Sequence, residues 1–395
     1  MRRGLQILLL CFFSFFGAMT VSAEEMEKPI NESNDQLTDR YIEDLGLEEL
    51  SEHWESIVHE YGGYLPESKR GTFIDFVKGD KSFSFADWMN GIISFIMQEI
   101  ILNIKLLGSL LLLTILSVFL QSLHSAFEKG AVSQVAYSII FMVLIIIALN
   151  SFRVAADYAI EAIDSMSQFI LALLPLLLAL IASSGGVATS AFFHPILVFL
   201  VNISSIVIKN AVLPLLFLAT LLSIANTLSK QFKVSQLANL LKKISIGILG
   251  AFITIILGVI SIQGAATAVA DGVAIRTAKF VAGNFVPVVG RMFTDAADTV
   301  LNASLLLKNT VGIAGVAVIL LIAAFPAFKI LVISLIYKLS AALMQPLGDG
   351  PVIECLDAVS KSVMYIFASL AIVSFMFFIS MTIIITSGNI TMMVR

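Results

Sequence analysis

The residues best equipped for chemistry in this sequence are few and scattered, and their spacing limits what they can do. Asp157, Glu161 and Asp164 recur at intervals of four and three, so a helix would carry all three carboxylates on one stripe. Such a stripe is either a solvated helix face or a docking surface, for a partner or for the basic residues within 265–310. His53 and His59 stand six apart, and His59-Glu60 runs into Tyr61-Gly62-Gly63, so they do not face one another as the paired ligands of a zinc protease do. His124 and His194 are single, and the serines and glycines near His194 form no nucleophile elbow. No Gly-rich turn ends in Gly-Lys-Ser or Gly-Lys-Thr, which excludes P-loop nucleotide hydrolysis. No catalytic, cofactor-binding or metal-ligating residue is expected, and the chain is not read as an enzyme.

The elements that would have to position any functional group are apolar. Hydrophobic residues make up 58% of the chain and charged residues 13%, and the mean hydropathy is +0.96. Soluble domains use roughly 25% charged residues, so lipid must solvate much of this protein. Eight apolar runs are visible, at about 104–123, 135–152, 169–183, 191–208, 211–226, 245–264, 311–332 and 363–387. The fold class is all-α, a polytopic helical membrane protein with about 6–8 transmembrane segments. The runs around Pro175, Pro195 and Pro214, interrupted by Ser183-Ser184-Gly185-Gly186 and by Lys209-Asn210, are read as full spans, a re-entrant pair or broken helices. No Asp or Glu falls in the middle of a run. Lys105, Lys209 and Lys308 lie at run ends, and Lys329 and Lys338 nearer the middle of a long one; all are expected to snorkel. A proton-coupled carrier built on buried carboxylates is disfavoured. Gly247, Gly250 and Gly258 would permit close helix contact, within the bundle or with another subunit.

Charge is distributed in blocks. Arg2 and Arg3, the apolar stretch from Leu5 to about Ala18 and Val21-Ser22-Ala23 make residues 1–23 a signal peptide. Its removal would take Cys11 away and leave Cys355 without an intrachain disulfide partner. Residues 24–103 hold 18 acidic and 6 basic side chains, which argues against a nucleic-acid partner. This region is read as extracytoplasmic. Its helical periodicity passes through Leu50, Trp54, Ile57 and Tyr61, and it ends in an interfacial amphipathic helix from about Phe85 with Trp88, Ile92, Phe95 and Ile96 on one face. Residues 104–395 form the multi-pass domain. Lys230, Lys233, Lys242 and Lys243 mark a basic amphipathic helix on the inner leaflet. Residues 265–310 are too polar for a span and too patterned for a linker, and parity places them outside. Lys209-Asn210-Ala211-Val212 and Lys308-Asn309-Thr310-Val311 form a weak internal echo.

Within 265–350 the residues Val269-Ala270-Asp271-Gly272, Ile275-Arg276-Thr277-Ala278-Lys279, Gly283-Asn284-Phe285-Val286-Pro287-Val288-Val289-Gly290-Arg291, Asp295-Ala296-Ala297-Asp298-Thr299 and Gln345-Pro346-Leu347-Gly348-Asp349 stand out. With the signal peptide and the acidic head, this pattern resembles the stage III sporulation protein AE family of endospore-forming bacteria. The resemblance implies a permease-like or platform subunit of the secretion-like channel complex between mother cell and forespore, placed in the mother-cell membrane around the forespore and required for its development. It also implies partners: an ATPase, further membrane subunits and ring-forming proteins of the intermembrane space. It brings no catalytic residues. Candidate functional or docking residues are then Asp157, Glu161, Asp164, Asp271, Arg276, Lys279, Asn284, Pro287, Arg291, Asp295 and Asp298. The alternative is a stand-alone secondary transporter of a small solute.

Overall fold

A computed structural model describes residues 48–65, 85–126, 131–228, 234–285, 289–348 and 350–393. The predicted signal peptide, the predicted helical pattern from Leu37 to Leu45, and Lys230, Lys233 and Pro287 fall outside the described residues. The described chain is helical throughout, without a strand. Its helices are α1 (Glu48–Tyr61), α2 (Phe85–Leu102), α3 (Ile104–Ala126), α4 (Ala131–Ser183), α5 (Val187–Val207), α6 (Leu213–Leu228), α7 (Ser235–Phe285), α8 (Val289–Met344) and α9 (Pro351–Met393). A π-helical turn, Ile208–Val212, joins α5 to α6 without a break.

Six long apolar helical segments are able to cross a membrane, fewer than the eight runs. Runs 135–152 and 169–183 lie on one helix, α4, and runs 191–208 and 211–226 are fused through the π turn. The region 169–226 is thus an antiparallel pair of helices turning at Ser184-Gly185-Gly186, not a re-entrant loop. The turn is possible because Gly185 adopts φ +94, a left-handed conformation open to glycine at little cost. Lys209 and Asn210, which read as an interruption, lie within the π turn. Because the two mergers together remove two crossings, the predicted parity of the later segments does not change.

The helices are also longer than a bilayer needs. With 53, 51, 56 and 43 residues, α4, α7, α8 and α9 extend roughly 65–85 Å, against about 30 Å for a hydrocarbon core. Pro175 and Pro326 sit inside α4 and α8. Each proline leaves the carbonyl four residues earlier, at Leu171 and Ile322, without its intrahelical donor. Residues 265–310 are no separate module: they are the end of α7 and the beginning of α8, a helical hairpin.

Helices α8 and α9 form the buried centre and α3 the most exposed flank. Small residues set the centre. Ser334 Oγ donates to the Ser360 carbonyl and Ser360 Oγ to the Ser334 carbonyl, both at 2.9 Å, and a Cβ on Gly312 would come within 2.7 Å of Ile385. The α8–α9 contact is therefore close and reciprocal. Tyr337, fully buried, donates to Ser151 Oγ at 2.8 Å and ties α8 to α4.

Candidate functional site

The predicted periodicity of residues 50–61 is realised in α1, whose Leu50, Trp54, Ile57 and Tyr61 are buried. They seat α1 in a groove between α4 and α8. Tyr61 stacks on Phe325 with centroids 4.1 Å apart, Phe95 of α2 meets both rings edge-on, and His53 stands edge-on to Phe169 at 5.9 Å. Lys329 of α8 reaches the same place: its Nζ lies 3.1 Å from Glu60 Oε1, donates to the Tyr61 hydroxyl at 3.3 Å, and sits 5.1 and 5.3 Å from the Tyr61 and Tyr158 ring centres. Instead of snorkelling, Lys329 closes a polar contact between the N-terminal helix and the membrane body. Burial, followed by the neighbouring Glu60, pushes the Tyr61 hydroxyl well above its ordinary pKa, so it is neutral at every physiological pH. Beside the contact lies a cavity of about 110 Å³ lined by α1, α4 and α8.

The acidic stripe sits midway along α4 and is not a linker. Asp157 lies 3.7 Å from Arg153. Asp164 pairs with Lys209 at 2.8 Å and accepts from Ser205 Oγ at 3.0 Å, so Lys209 is held and does not snorkel. Only Glu161 of the three lines the cavity. The stripe does not meet 265–310, since Asp164 is nineteen residues before the end of α4, about 28 Å along the axis. Closer to the α8–α9 turn, Asp357 is shared by Lys338 and Lys361, the latter at 2.5 Å. Lys242 is buried, donates to Ser223 Oγ at 3.0 Å and lies over the Tyr365 ring. It points into the bundle and not toward lipid headgroups, because residues 235–244 are the first turns of α7 and not an interfacial helix; Lys243 remains exposed.

At the opposite end two buried ionisable groups have structural partners. Asp271, 4% exposed, accepts the backbone N–H groups of Ala188 and Thr189 at 2.8 and 2.9 Å. It caps α5 from α7, where the local N-cap position, Gly186, has no side chain to do so. Asp271→Ala is expected to lower stability by about 1–2 kcal/mol, as for other caps, read as an earlier thermal midpoint of the detergent-purified chain. Lys308, expected to snorkel, is 0% exposed. Its Nζ donates to the Ile385 carbonyl at 2.9 Å and to Asn389 Oδ1 at 2.6 Å. Among the described residues no carboxylate accompanies it; the acceptors belong to the last turns of α9, the negative end of that helix. Asn389→Leu, which strips this cation of an acceptor, is expected to cost on the order of 3 kcal/mol, whereas Lys308→Met, which removes the charge as well, should cost much less. Paired thermal melts check the asymmetry. The echo of Lys209 and Lys308 joins unlike environments, one surface ion pair and one interior amine.

Arg276 is exposed and Lys279 half-buried near the end of α7, and Asn284 lies in its final turn. Arg291, Asp295 and Asp298 belong to the first turns of α8, and their side chains fall outside the described residues. Among the described residues a Cβ at Gly247, Gly250 or Gly258 would meet nothing within 4 Å, so this face of the helix is uncovered by them. Glu60 and Tyr158 were not singled out as functional from sequence, and Tyr61 was read only as part of the helical periodicity; the nearest signal was Lys329 itself, near the middle of a long apolar run. Among the described residues no group of three His, Cys, Asp or Glu could hold a metal ion.

Comparison with known proteins fits this molecule of long helices. The profile described as Stage III sporulation protein AE matches residues 68–388. The chain is similar to Stage III sporulation protein AE of Bacillus subtilis (strain 168), 56% identical over 400 aligned positions that cover all of both sequences. No solved structure matches. On that coverage and identity, the chain belongs to the stage III sporulation protein AE family.

Proposed function

We propose that this protein is a platform or permease-like subunit of the channel complex between mother cell and forespore, built into the mother-cell membrane with its N-terminal region on the extracytoplasmic side. The observation that carries this reading is the outer face of α7. Its glycines are open, whereas the packed interior is filled by α8 and α9. A glycine-lined helix face in a membrane protein is suited to another helix approaching closely. Helices of twice the bilayer thickness add surface beyond the hydrocarbon for further subunits. The ATPase of the complex would supply energy that this chain has no nucleotide motif to provide.

Purification from sporulating cells in mild detergent tests the reading. Co-purification with the ATPase and the other membrane subunits is expected. A chain recovered alone, which by itself drives solute uptake into liposomes, would instead establish the stand-alone transporter.

A further inference from the structure

We propose that the cavity under α1 binds a small monovalent cation, a hydrated alkali ion or a primary ammonium of a few heavy atoms. Glu60, Tyr61 and Ser56 come from α1, Tyr158, Glu161 and Ser165 from α4, and Ile322 and Pro326 from α8. The charges do not cancel. Lys329 is engaged with Glu60 at 3.1 Å, and Glu161, with no ion-pair partner among the described residues, leaves the cavity one negative charge in excess when His53, which also lines it, is counted as neutral. The uncharged lining is oxygen-rich, with two phenols and two serine hydroxyls. Oxygen donors with a single surplus charge suit a hard monovalent ion or an ammonium. The tyrosine faces already hold one such group, the Lys329 amine. A divalent metal would require more carboxylates than the cavity has. The volume of about 110 Å³ exceeds that of one water, about 30 Å³, leaving room for an ion with part of its hydration shell. Because three helices supply the lining, an occupied site would fasten α1 to the membrane body. The inference does not depend on the identity of the assembly's other subunits.

The full chain in nanodiscs of zwitterionic lipid is melted while sodium, potassium or methylammonium chloride replaces choline chloride at constant ionic strength. A saturable rise in Tm with at least one of the three, absent with choline alone, is expected. Saturation by the metals assigns an alkali ion, and saturation by methylammonium alone assigns an ammonium group. Glu161→Gln, at an exposed position with no ion pair to lose among the described residues, is expected to fold and to weaken the midpoint about tenfold or more. If it fails to accumulate, Glu161→Asp, which keeps the charge on a shorter arm, is expected to weaken it too. An unchanged midpoint in whichever variant is measured, or no difference from choline, would overturn the proposal.

Discussion

Gly258→Leu is expected to leave the chain inserted and folded yet to abolish both its recovery with the proposed partner subunits and the formation of heat-resistant spores. Inside the chain the substitution has room, since a Cβ there meets nothing within 4 Å, and leucine is a better helix former than glycine by close to 1 kcal/mol. Outside it, Gly247, Ala251, Thr254, Gly258 and Ser261 follow one another at four- and three-residue steps. They form a seam of small side chains along which a neighbouring helix can lie close. A leucine side chain would hold that neighbour off, and close packing is most of what binds helices in lipid. The contrasting substitution is Gly315→Leu. Its Cβ would collide with the Leu173 side chain, and an over-packed core costs about 1–3 kcal/mol or more. It should therefore reduce the amount of protein in the membrane fraction. Quantifying membrane-bound protein, co-purified subunits and spores for both variants separates the outer face from the core. Wild-type co-purification and sporulation in Gly258→Leu would mean that lipid, not protein, covers this face.

Reversing the charge at Lys329 is expected to release α1. Lys329→Glu would set three carboxylates, the new one with Glu60 and Glu161, around a cavity that had lost the one lysine among its described lining residues. Removing one partner of a buried pair costs about 3–5 kcal/mol. Here the effect should fall near or below the lower figure, because the Lys329 side chain is 19% exposed but that of Glu60 is 57% exposed. The stacked Tyr61–Phe325 rings and the buried Trp54 oppose release, and like charges beside them should tip the balance. In a Trp88→Phe background, the emission of Trp54, now 2% exposed, should move to the red, and protease should cut within 48–65. The double variant Glu60→Lys with Lys329→Glu should restore much of both, since the ion pair re-forms with its sign exchanged. Failure of the exchange to restore docking would show that the aromatic packing needs lysine itself at 329.

Membrane class, helicity and the α1 periodicity were legible because each depends on composition or on local spacing. The number of crossings was not. Charged residues such as Arg153, Asp157 and Asp164 end an apolar run, and a run that ends suggests a loop when helices are taken to be as long as a bilayer is thick. Here α4 carries these charges through its midpoint, where Lys209 and Ser205 satisfy Asp164 from another helix. Lys308 was misread for a related reason. At the start of an apolar run an amine normally reaches water, and its burial depends on Ile385 and Asn389, 77 and 81 residues away. Asp271 stood within the residues that carried the family resemblance, but its part as the cap of α5 follows only from the α5–α7 packing. The cavity joins residues more than 250 positions apart in sequence, Glu60 and Lys329 among them, and no local pattern announces it.

The most direct test is the accessibility of two single cysteines, introduced after replacing Cys355. Phe280, 68% exposed near the tip of the α7–α8 hairpin, and Leu347, 54% exposed in the turn between α8 and α9, should lie on opposite sides of the membrane. In intact non-sporulating cells that express the chain in their surface membrane, an impermeant maleimide is expected to label Phe280→Cys, and to label Leu347→Cys only after the membrane is opened. Labelling of both from outside, or of Leu347→Cys alone, would contradict the arrangement in which the hairpin rises on the extracytoplasmic side.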